Sequence, residues 1–259
     1  MKRIMMTVSY DGTNYVGWQV QKNGIAVEQV LNEHLSRLLG ENIMVIGASR
    51  TDSGVHAIGN VCVFDTESKI PPSKICYALN QGLPDDIKIV SSMEVGSDFH
   101  PRHVNCKKTY EYTILNSKVN LPTYAKYADY VYYKLDVEKM KKAATYLLGE
   151  HDFKAFSSAG GQQRSSVRTI YSIDISVATI EDVKNEELAP SLIKIRITGN
   201  GFLYNMVRII AGTLEKVGMG VYPAEHVKEI LESLDRRASA PKAAACGLSL
   251  INIDYSPLL

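Results

Sequence analysis

Apolar residues recur at two different spacings along the first hundred positions. Residues 2–10 alternate apolar and β-branched side chains, as strands do, whereas residues 26–39 carry apolar side chains at helical spacing and end at Gly40. The pattern predicts the order strand, helix, strand, strand, helix, strand over residues 2–10, 26–39, 43–49, 60–66, 71–79 and 87–95. This order is that of a split βαβ, or ferredoxin-like, arrangement.

The second half repeats the pattern more loosely. It predicts strands over 107–115, 169–179, 192–198 and 247–255, and helices over 136–148, 202–217 and 224–234. We therefore expect an α+β protein of two ferredoxin-like halves, each an antiparallel or mixed sheet flanked by helices. No Gly/Ser linker marks the boundary, which we place between an N-terminal domain, 1–105, and a C-terminal domain, 106–259.

Composition narrows the class of protein. The 259 residues are 45% hydrophobic and 22% charged, which is ordinary for a globular protein. No apolar run reaches the roughly 18 residues of a membrane span, and no signal peptide is recognisable, so no membrane partner is expected. Four scattered cysteines without a CxxC pair predict free thiols, a cytoplasmic location and no zinc site. The net charge of +1 means that any nucleic-acid surface must arise from local clustering.

One short loop, ASRTDSGVHA at 48–57, carries candidate chemistry. It follows an apolar run and contains Arg50, Asp52 and His56. A turn uses Ser, Asp and Gly for its backbone, but it does not require the arginine or the histidine. Asp52 is either a reactive carboxylate or a turn cap, and the segment alone favours the cap.

Two further residues have a functional and a structural interpretation. Tyr110 lies in KKTYEY, where it could stack on a nucleobase or simply fill the core of a sheet. Arg208 lies on a helix that is apolar almost all round, so it either reaches the edge of the core or is buried against an acid, for which Asp52 is the partner we expect. The sequence has no P-loop, dinucleotide fingerprint, HExxH or Gly-x-Ser-x-Gly motif, so we expect chemistry from side chains alone.

The loop and six other segments together resemble one family. ASRTDSGVHA is similar to the G-R-T-D-x-G-V-H signature of the TruA family of tRNA pseudouridine synthases. Segments similar to other family motifs occur in family order: YDGTNYVGWQVQ (10–21), ALNQGLP (78–84), DFHPRH (98–103), KTYEY (108–112), GFLYNMVR (201–208) and GLSL (247–250). The resemblance therefore covers nearly the whole chain.

The resemblance implies an isomerase that converts uridine to pseudouridine at positions 38–40 of the tRNA anticodon stem-loop. Asp52 matches the catalytic nucleophile, Tyr110 the active-site tyrosine, Arg208 the cation paired with the aspartate, and Arg50 the arginine implicated in flipping the base. The family fold has its active-site cleft between the two halves, needs no metal or cofactor, and acts as a homodimer with tRNA lying across both subunits. Candidate tRNA contacts are Lys22, Lys107, Arg164, Arg168, Arg236 and Arg237.

One departure and two alternatives accompany this interpretation. Ser49 stands where the family usually has glycine, which would cost on the order of 1 kcal/mol if the position required a positive φ. A non-catalytic RNA-binding module would also suit two ferredoxin-like halves, but it leaves Asp52 without a role. A hydrolytic glycosidase would need a second acid near Asp52, and the local sequence offers none.

Overall fold

The computed structural model describes residues 1–161, 165–183 and 190–256. The chain forms two compact units. The first consists of Met1–Cys106 with Ser249–Leu259, and the second of Lys107–Leu248. The α+β class predicted from the sequence is confirmed by the elements of each unit.

The first unit has the predicted ferredoxin-like order. Its elements are β1 (Lys2–Tyr10), α1 (Val27–Leu39), β2 (Ile46–Gly47), β3 (His56–Thr66), α2 (Ile75–Asn80) and β4 (Ile87–Val95). The strands lie in the order β4, β1, β3, β2, and each pair is antiparallel. Helix α1 buries Val27, Leu31 and Leu35 completely, because these residues share one face of the helix, and it ends at Gly40 with a φ of 68°.

Strand β2 is much shorter than the predicted strand at 43–49. The amide of Ile43 donates to Ser36 Oγ at 2.9 Å, and that of Val45 donates to Asn32 Oδ1 at 2.8 Å. Both acceptors lie on α1, so these two amides are bound by helix side chains instead of by a neighbouring strand. The apolar run therefore packs as extended chain along the helix before it reaches the sheet.

The last strand of the chain belongs to the first unit. This strand, β10 (Leu248–Asp254), pairs in parallel with β3, with Ser249 opposite His56 and Leu250 opposite Ala57. The sequence pattern predicts a C-terminal domain 106–259, whereas the structure groups 249–259 with residues 1–106. Alternation along a segment predicts a strand but not its partner, which is why the pattern misplaced it.

The described residues of the second unit form five strands and three α-helices. Its elements are β5 (Lys107–Asn116), β6 (Asp129–Val131), α3 (Val137–Thr145), β7 (Gly149–Asp152), β8 (Val167–Thr179), β9 (Ser191–Gly199), α4 (Met206–Gly218) and α5 (His226–Ser233). The strand order is β6, β5, β9, β8, β7; β6 runs parallel to β5 and the other pairs are antiparallel. The short strands β6 and β7 were not predicted.

Helix α4 begins four residues later than predicted. Asn205, directly before it, has a left-handed backbone with a φ of 61°, which keeps 202–205 out of the helix. Most of the helix is buried, including Ile209, Ile210 and Leu214, so it is the central helix of this unit. Within the described ranges, no helix is long and apolar enough to cross a membrane.

Candidate active site

The turn that presents Asp52 is fixed by the loop at 11–24. The amide of Val55 donates to the carbonyl of Asp52 at 3.1 Å across a turn in which Gly54 has a φ of 76°. Asp52 also forms an isolated antiparallel bridge with Gly17, and the amide of Trp18 donates to the carbonyl of Thr51 at 3.1 Å. The half-buried Asp52 is therefore held on both sides by backbone contacts.

Buried polar contacts hold the chain on both sides of Arg50. The hydroxyls of Tyr10 and Thr51 are 2.7 Å apart, and Asn60 Nδ2 donates to the carbonyl of Ser49 at 3.1 Å. Among described non-glycine residues only Asn205 and Leu234 have a positive φ. Ser49 therefore adopts an ordinary backbone, and the strain considered for a serine at this position does not arise.

Arg50 is exposed, and a second arginine lies near it. Arg102 Nε donates to the carbonyl of Gly47 at 2.6 Å. Desolvation lowers the pKa of Arg102, and the positive charge of Arg50 lowers it further. The rings of His100 and His103 stack beside this segment with centroids 3.9 Å apart. Sequence reasoning missed Arg102 as a site residue, although it lies in the DFHPRH motif that carried part of the family resemblance.

His56 holds the start of the opening loop. It is 5% exposed, and its Nδ1 accepts the amide hydrogen of Gly12 at 3.1 Å. A Cβ at Gly12 would lie 2.0 Å from the carbonyl oxygen of Val55, so only glycine fits this approach. The contacts assign His56 a structural role in docking the loop against the Asp52 turn.

Tyr110 and Arg208 lie in the second unit. Tyr110, on β5, is 8% exposed, and its ring meets that of Phe202 edge-on with centroids 5.2 Å apart. Arg208 is half-buried in the first turns of α4. Its Nε donates to the carbonyl of Ala243 at 2.9 Å and its Nη1 to Asn205 Oδ1 at 3.2 Å, so the direction of the guanidinium is fixed at two atoms.

Two buried acids near these residues were not predicted. Glu111, next to Tyr110, is 8% exposed. Burial opposes its ionisation, but hydrogen bonds from Lys194 and Arg196 outweigh that effect and hold the pKa of Glu111 below its usual range. A buried carboxylate is stable only when cations are bound to it. Glu111 therefore forms a structural ion pair with Lys194 and Arg196 on the sheet.

Glu215, on α4, is the opposite case. It is 9% exposed, and its Oε1 has no hydrogen-bond partner among the described residues. Burial, reinforced by the negative charge of Asp129, raises the pKa of Glu215 to about 8. Its carboxyl is therefore mostly protonated at neutral pH. The signal that singles out Arg208, a charged side chain within an apolar helix, applies equally to Glu215.

The candidate tRNA contacts differ in exposure. Lys22 and Lys107 are exposed, and Lys107 Nζ lies 5.5 Å from the centroid of the Tyr171 ring. Arg168 Nη1 donates to the carbonyls of Ser165 and Val167, and burial lowers its pKa. Arg236 bonds to Ser239 and Arg237 to Asp235, so both are engaged locally. Arg164 lies outside the described residues. Within the part of the chain that is described, no group of three or more His, Cys, Asp or Glu side chains could hold a metal ion.

The amino-acid sequence is similar to those of known proteins over most of its length. A family model described as tRNA pseudouridine synthase matches residues 6–103 and 143–256. The "tRNA pseudouridine synthase A" of Thermoanaerobacter sp. (strain X514) is 48% identical over 98% of this chain and 100% of its own length, and that of Ruminiclostridium cellulolyticum has the same identity and coverage. The "tRNA pseudouridine synthase A 2" of Clostridium perfringens is 44% identical over the same shares.

A solved structure, "Structure of H/ACA RNP bound to a substrate RNA containing 2'-deoxyuridine", is similar at a TM-score of 0.36 and 11% identity, over 94% of this chain and 46% of that one. Similarity at that level establishes neither fold nor function. The family model covers more than half of the chain, and the curated relatives match it nearly end to end. The chain therefore belongs to the TruA family of tRNA pseudouridine synthases, as its motifs predict, and it is an isomerase.

Proposed function

We propose that this enzyme converts uridine to pseudouridine at positions 38–40 of the tRNA anticodon stem-loop, with Asp52 as the nucleophile. Family membership supports tRNA uridine as the substrate. The choice of these positions rests on the motif resemblance. The observation that carries the role of Asp52 is its place on a turn whose backbone is held on both sides, in the segment that matches the family signature.

The reaction requires the C1′–N1 bond to break, the uracil to turn, and a C1′–C5 bond to form. The proton on C5 leaves and N1 gains one, so the product is an isomer of the substrate. One carboxylate suffices as covalent nucleophile, because no water enters and the base is retained. A turn that fixes Asp52 before substrate binds reduces the entropy lost on reaching the reactive geometry.

The test of this proposal is Asp52→Asn, which keeps the size of the side chain and removes its nucleophilic charge. Asp85→Asn is the matched control, because Asp85 is a fully exposed loop aspartate of the same unit. Pseudouridine in tRNA lacking the modification is mapped by carbodiimide labelling and primer extension. We expect no product with Asp52→Asn, full product with Asp85→Asn, and tRNA binding within a fewfold of wild type for both.

Product formed by Asp52→Asn at the wild-type rate would overturn the role of Asp52. Release of free uracil by the wild-type enzyme would instead indicate the hydrolytic alternative. Stop positions in the same primer-extension experiment report which of positions 38, 39 and 40 are modified.

For Arg50 we propose a role in extruding the target base, which its exposure permits. A stem base must unstack to react, and unstacking costs least for a mismatched base. We therefore expect Arg50→Ala to slow the reaction strongly on a paired target and much less on a tRNA with a mismatch at that position. Equal slowing on both substrates would contradict the assignment.

We also propose that Tyr110 contacts the target base, and that Arg208 favours the ionised form of the Asp52 carboxyl, as the family resemblance implies. Tyr110→Phe keeps an aromatic ring for stacking, so we expect it to bind tRNA normally. For Arg208→Ala we expect a fall in kcat that is largest at acid pH and smaller as pH rises, because a carboxyl that has lost its cation needs a higher pH to ionise. A kcat deficit independent of pH would contradict that role.

The tRNA surface, the dimer and the location are also proposals. Lys22, Lys107, Arg164 and Arg168 are proposed to contact phosphates, so each change to alanine should weaken tRNA binding and reduce its salt dependence by about one unit of slope. The protein is proposed to be a cytoplasmic homodimer that binds tRNA across both subunits. Light scattering of the purified protein and fractionation of cells test the two statements, and a monomeric mass or a membrane-bound fraction would refute them.

A further inference from the structure

The segment 241–247 lies against helix α4 within the second unit. The carbonyl of Ala243 accepts from Arg208 Nε at 2.9 Å, and the amide of Ala243 donates to the carbonyl of Arg208 at 3.0 Å. A Cβ at Gly212 would lie 2.3 Å from the carbonyl oxygen of Pro241, so helix and segment approach as closely as backbones can. The segment therefore sets the direction of the Arg208 side chain.

The next residue of the segment is held by a different part of the unit. The amide of Ala244 donates to Asp129 Oδ2 at 3.0 Å. The same Oδ2 accepts the hydroxyl of Tyr112 at 2.7 Å, and that hydroxyl lies 2.9 Å from the carbonyl of Ala244. Tyr112 is fully buried, and a Cβ at Gly247 would lie 2.8 Å from its Cζ. Asp129 and Tyr112 thus hold the segment from the side of β5 and β6.

The two sets of contacts meet in one peptide unit. The carbonyl of Ala243 and the amide of Ala244 belong to the same planar group, and in a trans peptide they point in opposite directions. Asp129 binds the amide end of this unit while Arg208 binds the carbonyl end. A carboxylate bound to the amide both fixes the peptide plane and polarises the carbonyl, which makes that carbonyl a stronger acceptor.

We propose that Asp129 is a positioning residue for Arg208, acting through the Ala243–Ala244 peptide. The inference rests on the proposed function only in assigning Arg208 to the reaction. It predicts that weakening the bond from Ala244 to Asp129 weakens the hydrogen bond from Arg208 Nε to the Ala243 carbonyl, while the bond from Nη1 to Asn205 stays in place, without any change to a group that touches the tRNA.

The direct test is solvent exchange of the Arg208 Nε–H, measured by NMR and assigned by loss of its signal in Arg208→Lys. We expect Asp129→Ala to raise the exchange rate at least tenfold. Asp129→Asn keeps a neutral acceptor oxygen, which makes a weaker hydrogen bond than a carboxylate, so its effect should be about threefold. Glu111→Gln is the matched control, because it alters another buried carboxylate of the same unit, and it should leave the Arg208 signal unchanged.

The kinetic test uses the same variants in pseudouridine formation. We expect kcat to fall about tenfold in Asp129→Ala and about threefold in Asp129→Asn, with KM for tRNA within twofold of wild type. Combined with Arg208→Lys, either change should add little, because its effect passes through a side chain that is already altered. A merely destabilising change would multiply with Arg208→Lys instead.

Each outcome has a distinct meaning. Unchanged Nε–H exchange in Asp129→Asn overturns the inference, whatever the activity, and this variant serves if Asp129→Ala does not fold. Raised exchange with wild-type kcat supports the positioning of Arg208 by Asp129 and removes Arg208 from the reaction. Activity of Asp52→Asn would show separately that the proposed role of Asp52 has failed, because it leaves the exchange measurement untouched.

Discussion

Glu215 makes the stability of the second unit depend on pH. Its carboxyl is 9% exposed on α4, and burial together with the charge of Asp129 raises its pKa from 4.5 to about 8. Lys216 is the nearby cation and acts in the opposite direction, but the other two effects are larger. The folded state therefore keeps this proton over a range of pH in which the unfolded chain has lost it.

The sign follows from proton binding in the two states. Between about pH 5 and pH 8 the folded protein binds more protons at this site than the unfolded chain, so its free energy of unfolding falls as pH rises. A full proton difference corresponds to about 1.4 kcal/mol per pH unit. Across the three units this amounts to roughly 4 kcal/mol, a large share of the 5–15 kcal/mol typical of a domain.

The perturbation is Glu215→Gln, which resembles the protonated carboxyl in shape and cannot ionise. We expect urea unfolding of the wild type, followed by circular dichroism at pH 5.5, 6.5, 7.5 and 8.5, to show a stability that declines by several kcal/mol. In Glu215→Gln most of that decline should disappear. Glu232→Gln, an exposed change on α5 in the same unit, should keep the wild-type slope.

Parallel pH profiles for the wild type and Glu215→Gln would refute this reasoning, because they would show that Glu215 titrates alike in the folded and unfolded states. A profile that rises with pH in both proteins would also refute it. The slopes of the two profiles are compared, because a change in stability that is constant at all pH values leaves the slope unaltered.

Three further predictions concern packing and capping. In Gly47→Ala the new methyl would lie 2.2 Å from Trp18 Nε1, so we expect a loss of about 1–3 kcal/mol in urea unfolding and a red shift of tryptophan emission; unchanged emission would contradict it. In Gly247→Ala the methyl meets the ring of Tyr112, and we expect a similar loss of stability with a lower Tm; a Tm equal to wild type would argue against the observed packing. Asp136→Ala removes the side-chain cap of α3, so we expect a lower midpoint of urea unfolding, whereas Asp136→Asn should retain most of the capping.

The sequence predicted elements whose signal is local. Helix α1 has its buried residues on one face and a glycine directly after its last turn, and strand β5 has the alternating apolar residues Tyr110, Tyr112 and Ile114, all of which are buried. Both depend on neighbours in the chain, so they could be recognised without a structure. The order of elements in the first unit followed from the same local signals, and with it the ferredoxin-like arrangement.

The sequence did not predict features that depend on distant contacts. β2 is short because two side chains of α1 bind the amides that precede it, and α4 starts late because Asn205 is left-handed. The hydrogen bond from Ala244 to Asp129 joins residues more than a hundred positions apart. For the candidate site, motif order indicated Arg50 and Asp52, but only the structure shows that Arg102 lies beside Arg50.

The parallel pairing of β10 with β3 has a consequence for biosynthesis. Because the second unit lies within the sequence of the first, residues 1–106 leave the ribosome long before the strand that completes their sheet. At typical translation rates the delay is on the order of ten seconds, which is long compared with the folding of a small domain. Residues 1–106 can therefore fold while the edge of β3 at His56 and Ala57 is still unpaired by β10. We expect chaperones to bind nascent chains at this stage, before β10 has paired with β3.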